Sequence, residues 1–130
     1  PPWVTDPQGY YMGGNEMPFS PMGLARIGNM VLDDGRVDGQ QIISKAWIDT
    51  SWQPRGRSRF SGDQYGYGWF LTRFAGQQAA YARGYGGQML VVVPSQQLSI
   101  AISSDPTRPA RSGGFFDDLR GLVTHIVSLA

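Results

Sequence analysis

A short glycine-rich segment, Gly84-Tyr85-Gly86-Gly87-Gln88, contains the residues of this sequence that are best suited to chemistry. Its glycines allow a ligand to lie directly against the main chain, and main-chain NH groups freed there can donate hydrogen bonds to a developing oxyanion. The Tyr85 hydroxyl can take part in proton transfer. The same pattern also fits a plain β-bulge with a buried tyrosine at the start of a strand, and the residues alone leave both interpretations open.

The other residues that could bind a metal ion or act in catalysis lack the partner residues that such sites require. His125 is the only histidine and the chain has no cysteine, so multi-histidine and thiolate metal sites are excluded. Neighbouring acids, as in Asp33-Asp34 and Asp117-Asp118, point in different directions, unlike a catalytic carboxylate pair. A phosphate-binding loop motif is absent, and we expect no cofactor. Four large aromatic residues could stack on a sugar but are more typical of a core: Trp47, Trp52, Trp69 and Phe70.

Length and composition indicate one globular domain. At 130 residues, with 41% hydrophobic and 16% charged residues, the chain is long enough to bury a core. The net charge of +1 comes from dispersed residues without a basic block, so we expect no nucleic-acid partner. No apolar run approaches the roughly 20 residues that a membrane span requires. The chain begins Pro-Pro-Trp, which favours a piece of a longer protein, and the compartment, periplasmic or cytoplasmic, stays open.

The residues around the glycine-rich segment predict an antiparallel meander of about four strands, at 65–73, 79–83, 89–93 and 98–103. A hairpin loop containing Gly76 joins the first two strands, and residues 94–97 supply the turn between the last two. Strict alternation in 98–103 is typical of a strand with one face on a core. The apolar run 89–93 favours a central strand that is covered on both faces.

Two helices precede this sheet. Ser20 and Pro21 are a typical N-cap and first helical residue, and an apolar stripe at helical spacing follows them as far as Asp33. Ser44 can cap a second helix that ends before Pro54. A short turn or hairpin at 36–41 lies between the two helices, and the polar stretch 55–63 is expected to be a surface loop.

A last helix begins at Ser112 or Gly113 and carries a wide apolar stripe that must pack on the sheet. The predicted fold class is therefore α+β: an antiparallel sheet packed with a C-terminal helix over one face and preceded by two helices. Residues 1–63 form the loop and helical part, and residues 64–130 form the sheet and the C-terminal helix.

Four segments occur in an order that resembles a known family. They are MGLARIGNMVLDDGRVDGQQIISKAWIDTSWQP, then YGYGWFL, then ARGYGGQMLVVVPSQQLSIAISSD, then the terminal helix. In this order they resemble the C-terminal part of the serine beta-lactamase-like family. That family contains class C beta-lactamases, penicillin-binding-protein-like hydrolases, related esterases and 6-aminohexanoate oligomer hydrolases. The resemblance covers nearly the whole chain and implies the C-terminal part of a beta-lactamase-like fold.

The resemblance also implies roles for single residues. The family's third motif, which is Lys, His or Trp, then any residue, then Gly, is matched by Tyr85-Gly86-Gly87. The main-chain NH of Gln88 is then one half of the oxyanion hole, and Tyr85 faces the acyl intermediate. Gly84-Tyr85-Gly86, followed by Gly87, is an alternative register. Tyrosine in place of the cation favours a small ester or amide substrate over a beta-lactam carboxylate.

The family's other two motifs are absent from this sequence. Ile42 stands three residues before Lys45, so there is no Ser-x-x-Lys motif, and no Tyr-x-Asn occurs. An acyl-transfer enzyme needs a nucleophile and a base, so we expect these residues alone to be inactive and the missing N-terminal part to supply both. Without the strands of that part, the sheet has an exposed edge through which the chain could dimerise. The alternative from a different functional class is a non-catalytic binding or interaction module that uses the glycine-rich aromatic strand.

Overall fold

The computed structural model describes residues 2–14, 17–107 and 115–130. Within these ranges the chain forms three helices: α1 (Pro21–Leu32), α2 (Lys45–Ser51) and α3 (Phe115–Leu129). The hydroxyl groups of Ser20 and Ser44 accept hydrogen bonds from the main-chain NH groups of Gly23 and Trp47. Both predicted N-caps are therefore confirmed. The start predicted for the last helix, at 112 or 113, lies outside the described residues.

Eight strands precede α3 in the described part of the chain. They are β1 (Arg36–Val37), β2 (Gln40–Gln41), β3 (Gly56–Arg57), β4 (Gln64–Tyr65), β5 (Phe70–Phe74), β6 (Gln77–Gly84), β7 (Gln88–Val93) and β8 (Leu98–Ile102). The first two strands form a separate hairpin, and β3 to β8 form one antiparallel sheet in chain order. The predicted α+β class with an antiparallel sheet is confirmed.

The sheet is covered on both faces, and β7 contributes to both cores. Met89, Val91 and Val93 pack in the core that α3 covers. Leu90 and Val92 pack on the other face, against residues of α1 and α2. Because successive side chains of a strand point to opposite faces, a doubly covered strand requires an uninterrupted apolar run. The prediction for 89–93 is confirmed.

Helix α1 lies close to β8 because a glycine faces the strand. A Cβ atom at Gly28 would overlap Ser99 Oγ and would lie 3.0 Å from Leu90 Cδ1. Ser99 Oγ donates a hydrogen bond to the main-chain oxygen of Ala25 at 3.4 Å. The small and polar side chains of β8 therefore face α1, while its apolar side chains pack in the core that α3 covers.

The number of strands differs from the expectation. The sheet has six strands rather than about four. The segment 65–73 is divided between β4 and β5, and 55–63, which was expected to be a loop, contains β3. β3 and β4 have only two residues each, which is too short for an alternating pattern to reveal them.

The division between β4 and β5 is caused by a contact with α2. The missing side chain of Gly66 leaves room for the main-chain oxygen of Ser51. That oxygen accepts a hydrogen bond from the NH of Tyr67 at 2.8 Å, and the NH of Gly66 donates to the oxygen of Trp69 at 2.9 Å. The chain therefore turns at 66–69 instead of continuing as one strand.

Candidate functional site

Residues 84–88 form the tight turn that joins β6 to β7. Gly84 pairs with Gln88, and the turn consists of Tyr85, Gly86 and Gly87. The Tyr85 side chain is 79% exposed. One of the two interpretations, a β-bulge with a buried tyrosine, is therefore wrong. The turn carries its phenol on the surface at one end of the sheet.

Both glycines of the turn have conformations and neighbours that disfavour any other residue. The main-chain φ angle is +71° at Gly86 and +81° at Gly87, in the left-handed region. A Cβ atom at Gly86 would lie 2.5 Å from Pro106 Cα, and one at Gly87 would lie 2.6 Å from Phe115 Cε1. The close approach that the glycines predict is made by the chain itself, from the segment after β8 and the first residue of α3.

The side chain of Gln88 fastens the turn to the same segment. Its Nε2 group donates a hydrogen bond to the main-chain oxygen of Ser104 at 2.9 Å and another to that of Gly86 at 3.3 Å. One amide thus joins the turn to the residues that follow β8. The Tyr85 hydroxyl makes no hydrogen bond within the described residues, so a fixed turn carries an unengaged phenol.

Arg83 lies on β6, two residues before Tyr85, and its guanidinium group lies over two aromatic rings. Arg83 Cζ lies 4.4 Å from the centre of the Phe116 ring and 5.3 Å from that of Phe70. The side chain is half-buried. Sequence reasoning did not single out this residue, because its aromatic neighbours come from β5 and α3. The turn is therefore flanked by a cation on the face of the sheet that α3 covers.

Sequence reasoning also missed a polar cluster of Asp63, Tyr81 and Arg120. The Tyr81 hydroxyl donates to Asp63 Oδ2 at 2.7 Å, and Arg120 Nη1 lies 2.7 Å from the same oxygen. The three residues are 18 to 57 positions apart in the chain, so no local spacing reveals them. The cluster ties α3 to the sheet.

The surroundings of this cluster shift two pKa values. Burial raises the pKa of the Asp63 carboxyl, but hydrogen bonds from two hydroxyl groups and the positive charge of Arg120 outweigh burial and hold it below its usual range. Burial, together with the Asp63 charge, raises the pKa of Tyr81 to about 12. The carboxylate and the neutral phenol are therefore the stable forms at neutral pH.

Within the part of the chain that the structure describes, the remaining candidate residues are not brought together into a cluster. His125 is exposed, and the described ranges contain no group of three or more His, Asp or Glu side chains that could hold a metal ion. Trp47 is 53% exposed and stacks on Tyr67 with ring centres 5.8 Å apart, so the core position expected for it is wrong. Trp52 and Trp69 pack beside the core. Among the helices of the described residues, none is long and apolar enough to cross a membrane.

Comparison with solved structures shows what this architecture is similar to. A penicillin-binding protein homolog from Caulobacter crescentus matches 61% of the chain at 25% identity with a TM-score of 0.53, and the match covers 24% of that protein. A Bacillus anthracis protein provisionally assigned as a 6-aminohexanoate-dimer hydrolase matches 97% of the chain at 18% identity with a TM-score of 0.68. That match covers 34% of the second protein. No family model and no curated protein matches the chain.

The chain thus spans about a quarter of the length of the first structure and about a third of the second. The second match extends over almost all of the chain, so it includes the sheet, the two preceding helices and α3. Both proteins belong to the groups that the order of motifs predicted. The resemblance to the serine beta-lactamase-like family is confirmed, and the chain has the fold of the C-terminal part of a beta-lactamase-like domain.

Proposed function

We propose that this chain is the C-terminal part of a beta-lactamase-like serine hydrolase that cleaves a small ester or amide through an acyl-enzyme intermediate. The observation that carries the proposal is the fixed turn at 84–88, which presents an exposed phenol beside main-chain NH groups. The likeness to a penicillin-binding protein homolog and to a hydrolase supports a hydrolase-like fold. The substrate and the roles of single residues are part of the proposal.

In this mechanism the nucleophilic serine and its lysine lie in a Ser-x-x-Lys motif of a preceding part of the same protein. The serine oxygen bonds to the carbonyl carbon of the substrate, and the carbonyl oxygen becomes an oxyanion. The main-chain NH of Gln88, or that of Gly87 in the alternative register, donates a hydrogen bond to this oxyanion. The oxyanion then re-forms the carbonyl group, the bond from its carbon to the alcohol or amine breaks, and the leaving group takes up the proton that the lysine removed from the serine hydroxyl. Water hydrolyses the acyl-enzyme, which releases the acid and restores the serine hydroxyl.

The contacts of the turn support this role. Donors to an oxyanion are effective when they are held in place before the reaction, so that no reorganisation is needed as charge develops. The Gln88 side chain and the close packing of Gly86 on Pro106 hold the turn in this way. The Tyr85 hydroxyl is exposed and able to exchange a proton with the leaving group or the attacking water.

The test uses the full-length product of the reading frame that encodes this chain. We expect a fluorophosphonate probe to label one serine outside these 130 residues, which intact mass spectrometry and peptide mapping can locate. Tyr85→Phe is expected to lower kcat/KM for a small ester by about 100-fold, the lower end of general acid–base contributions. Tyr10→Phe is the matched control, because Tyr10 is 74% exposed and Tyr85 79%. The control should leave kcat/KM unchanged.

Each outcome decides a different part of the proposal. A folded full-length protein that takes no label, and has no upstream Ser-x-x-Lys, would contradict the hydrolase and favour a binding module. Labelling with unchanged kcat/KM in Tyr85→Phe would keep the hydrolase but remove Tyr85 from its chemistry. Size-exclusion chromatography of the 130-residue chain tests the predicted dimer through the sheet edge, and a purely monomeric elution would count against that dimer.

A further inference from the structure

Two arginines differ from the others in the described ranges because they are half-buried. Arg83 on β6 and Arg120 on α3 have this degree of burial, whereas the remaining described arginines are exposed. Both guanidinium groups lie over the ring of Phe116, with distances from Cζ to the ring centre of 4.4 Å and 5.8 Å. The two cations therefore share an aromatic environment on the same face of the sheet.

The two cations differ in their counter-charges. Arg120 is paired with Asp63 through a contact of 2.7 Å. The guanidinium group of Arg83 forms no ion pair and no hydrogen bond with any other residue that the structure describes. Asp117 and Asp118, in the first turn of α3, are exposed and form no ion pair with it in these residues. Among the described residues, a carboxylate therefore pairs with one half-buried guanidinium group, that of Arg120, and none pairs with the other.

We propose that Arg83 is the anchor of a binding site for a carboxylate group carried by a small ligand. A guanidinium group has five N–H donors in a planar fork that matches the two oxygens of a carboxylate. Aromatic rings attract a cation but accept few of its hydrogen bonds. The rings of Phe70 and Phe116 hold the Arg83 side chain in place, so a carboxylate meets a preorganised donor group.

The site stands next to the turn but does not depend on the hydrolase proposal. Arg83 is the penultimate residue of β6 and pairs with Met89 of β7. With a rise of about 3.3 Å per strand residue, the Cα atoms of Arg83 and Tyr85 lie within roughly 7 Å of each other. A ligand whose carboxylate sits on Arg83 can therefore extend towards the exposed phenol of Tyr85, and the apolar edge of the site is formed by the two rings.

The test follows the arginine Nε–Hε signals of the ¹⁵N-labelled chain by NMR while benzoate is added. Benzamide, which has the same shape without the charge, is the matched ligand control. We expect a saturable shift of one signal with benzoate and none with benzamide. The shifted signal should be absent from Arg83→Gln. Arg73→Gln should keep the response, because Arg73 is exposed and donates to the main-chain oxygen of Gly76.

Arg83→Lys provides a second variant that keeps the charge and most of the stem. Because lysine cannot form the bidentate pair, benzoate should bind about 10-fold more weakly to this variant. The proposal is overturned if the shift does not saturate, if benzamide gives the same shift, or if Arg83→Gln still responds. It is equally overturned if Arg83→Lys binds benzoate as tightly as the unmodified chain, because the planar fork would then have no role.

Discussion

Replacing Gly86 with alanine should destabilise the chain in two separate ways. Alanine in the left-handed conformation, which φ of +71° imposes here, costs roughly 1–2 kcal/mol. The new Cβ atom would also lie 2.5 Å from Pro106 Cα, a main-chain atom that cannot rotate away. Overpacking of this kind costs about 1–3 kcal/mol. We therefore expect the free energy of unfolding to fall by roughly 2–5 kcal/mol.

Gly76→Ala is the control that separates the two contributions. Gly76 lies in the turn between β5 and β6, has φ of +81°, and has no atom within 4 Å of a Cβ built on it. Only the conformational cost applies there, so we expect a loss of about 1–2 kcal/mol. The difference between the two variants then measures the close approach of Pro106 to the turn at 84–88.

Urea denaturation followed by tryptophan fluorescence measures both variants. Because the denaturant slope for small domains is about 1–3 kcal/mol per M, we expect the midpoint of Gly86→Ala to lie roughly 1 M below that of Gly76→Ala. The slopes themselves should not change. Equal midpoints for the two variants would refute the reasoning, because they would show that Pro106 does not hold the turn.

Three further predictions concern the stability of the fold. The pKa of Asp63 is held below its usual range, so its ionised form stabilises the chain fully above the ordinary carboxyl pKa of about 3.9. In urea denaturation, the difference in the free energy of unfolding between the unmodified chain and Asp63→Asn should therefore disappear as the pH falls through the lowered pKa. The pKa of Tyr81 is raised to about 12, so the stability that its neutral form provides is complete below pH 10 and is lost as pH rises through about 12. In a pH titration, the phenolate absorbance of the unmodified chain minus that of Tyr81→Phe should have its midpoint at about pH 12. A midpoint near pH 10 would contradict the raised pKa of Tyr81. Ser20→Ala removes the hydroxyl that caps α1 and should lower the free energy of unfolding by about 1 kcal/mol in thermal denaturation, whereas Ser20→Asp should retain most of it.

The parts of the fold that the sequence predicts are those encoded within a few residues. Ser20 and Ser44 each stand three residues before the NH group they accept from, so the caps are visible as local patterns. The apolar run 89–93 fills two cores with alternate side chains, and only a central strand tolerates such a run. These elements could be placed without knowing what packs against them.

The parts that it does not predict are set by residues distant in the chain. The Ser51 carbonyl of α2 turns the chain at Gly66 and divides one expected strand into two. The partner of Asp63 is Arg120, 57 positions away. The turn at 84–88 stays a predicted site, and whether its tyrosine is buried or exposed depends on the segment after β8, which packs on the glycines and not on the phenol.

In the turn, the two buried glycines are required by the fold, whereas the exposed tyrosine is available for a function. Gly86 and Gly87 are buried, packed and conformationally restricted, so their identity is explained by the structure alone. Tyr85, between Gly84 and Gly86, is exposed and makes no hydrogen bond in the described residues. Substitutions at such surface positions usually change stability by less than about 0.5 kcal/mol. Because Tyr85→Phe should leave the free energy of unfolding unchanged, a loss of turnover in the full-length protein would report on the chemistry of the phenol and not on the integrity of the sheet.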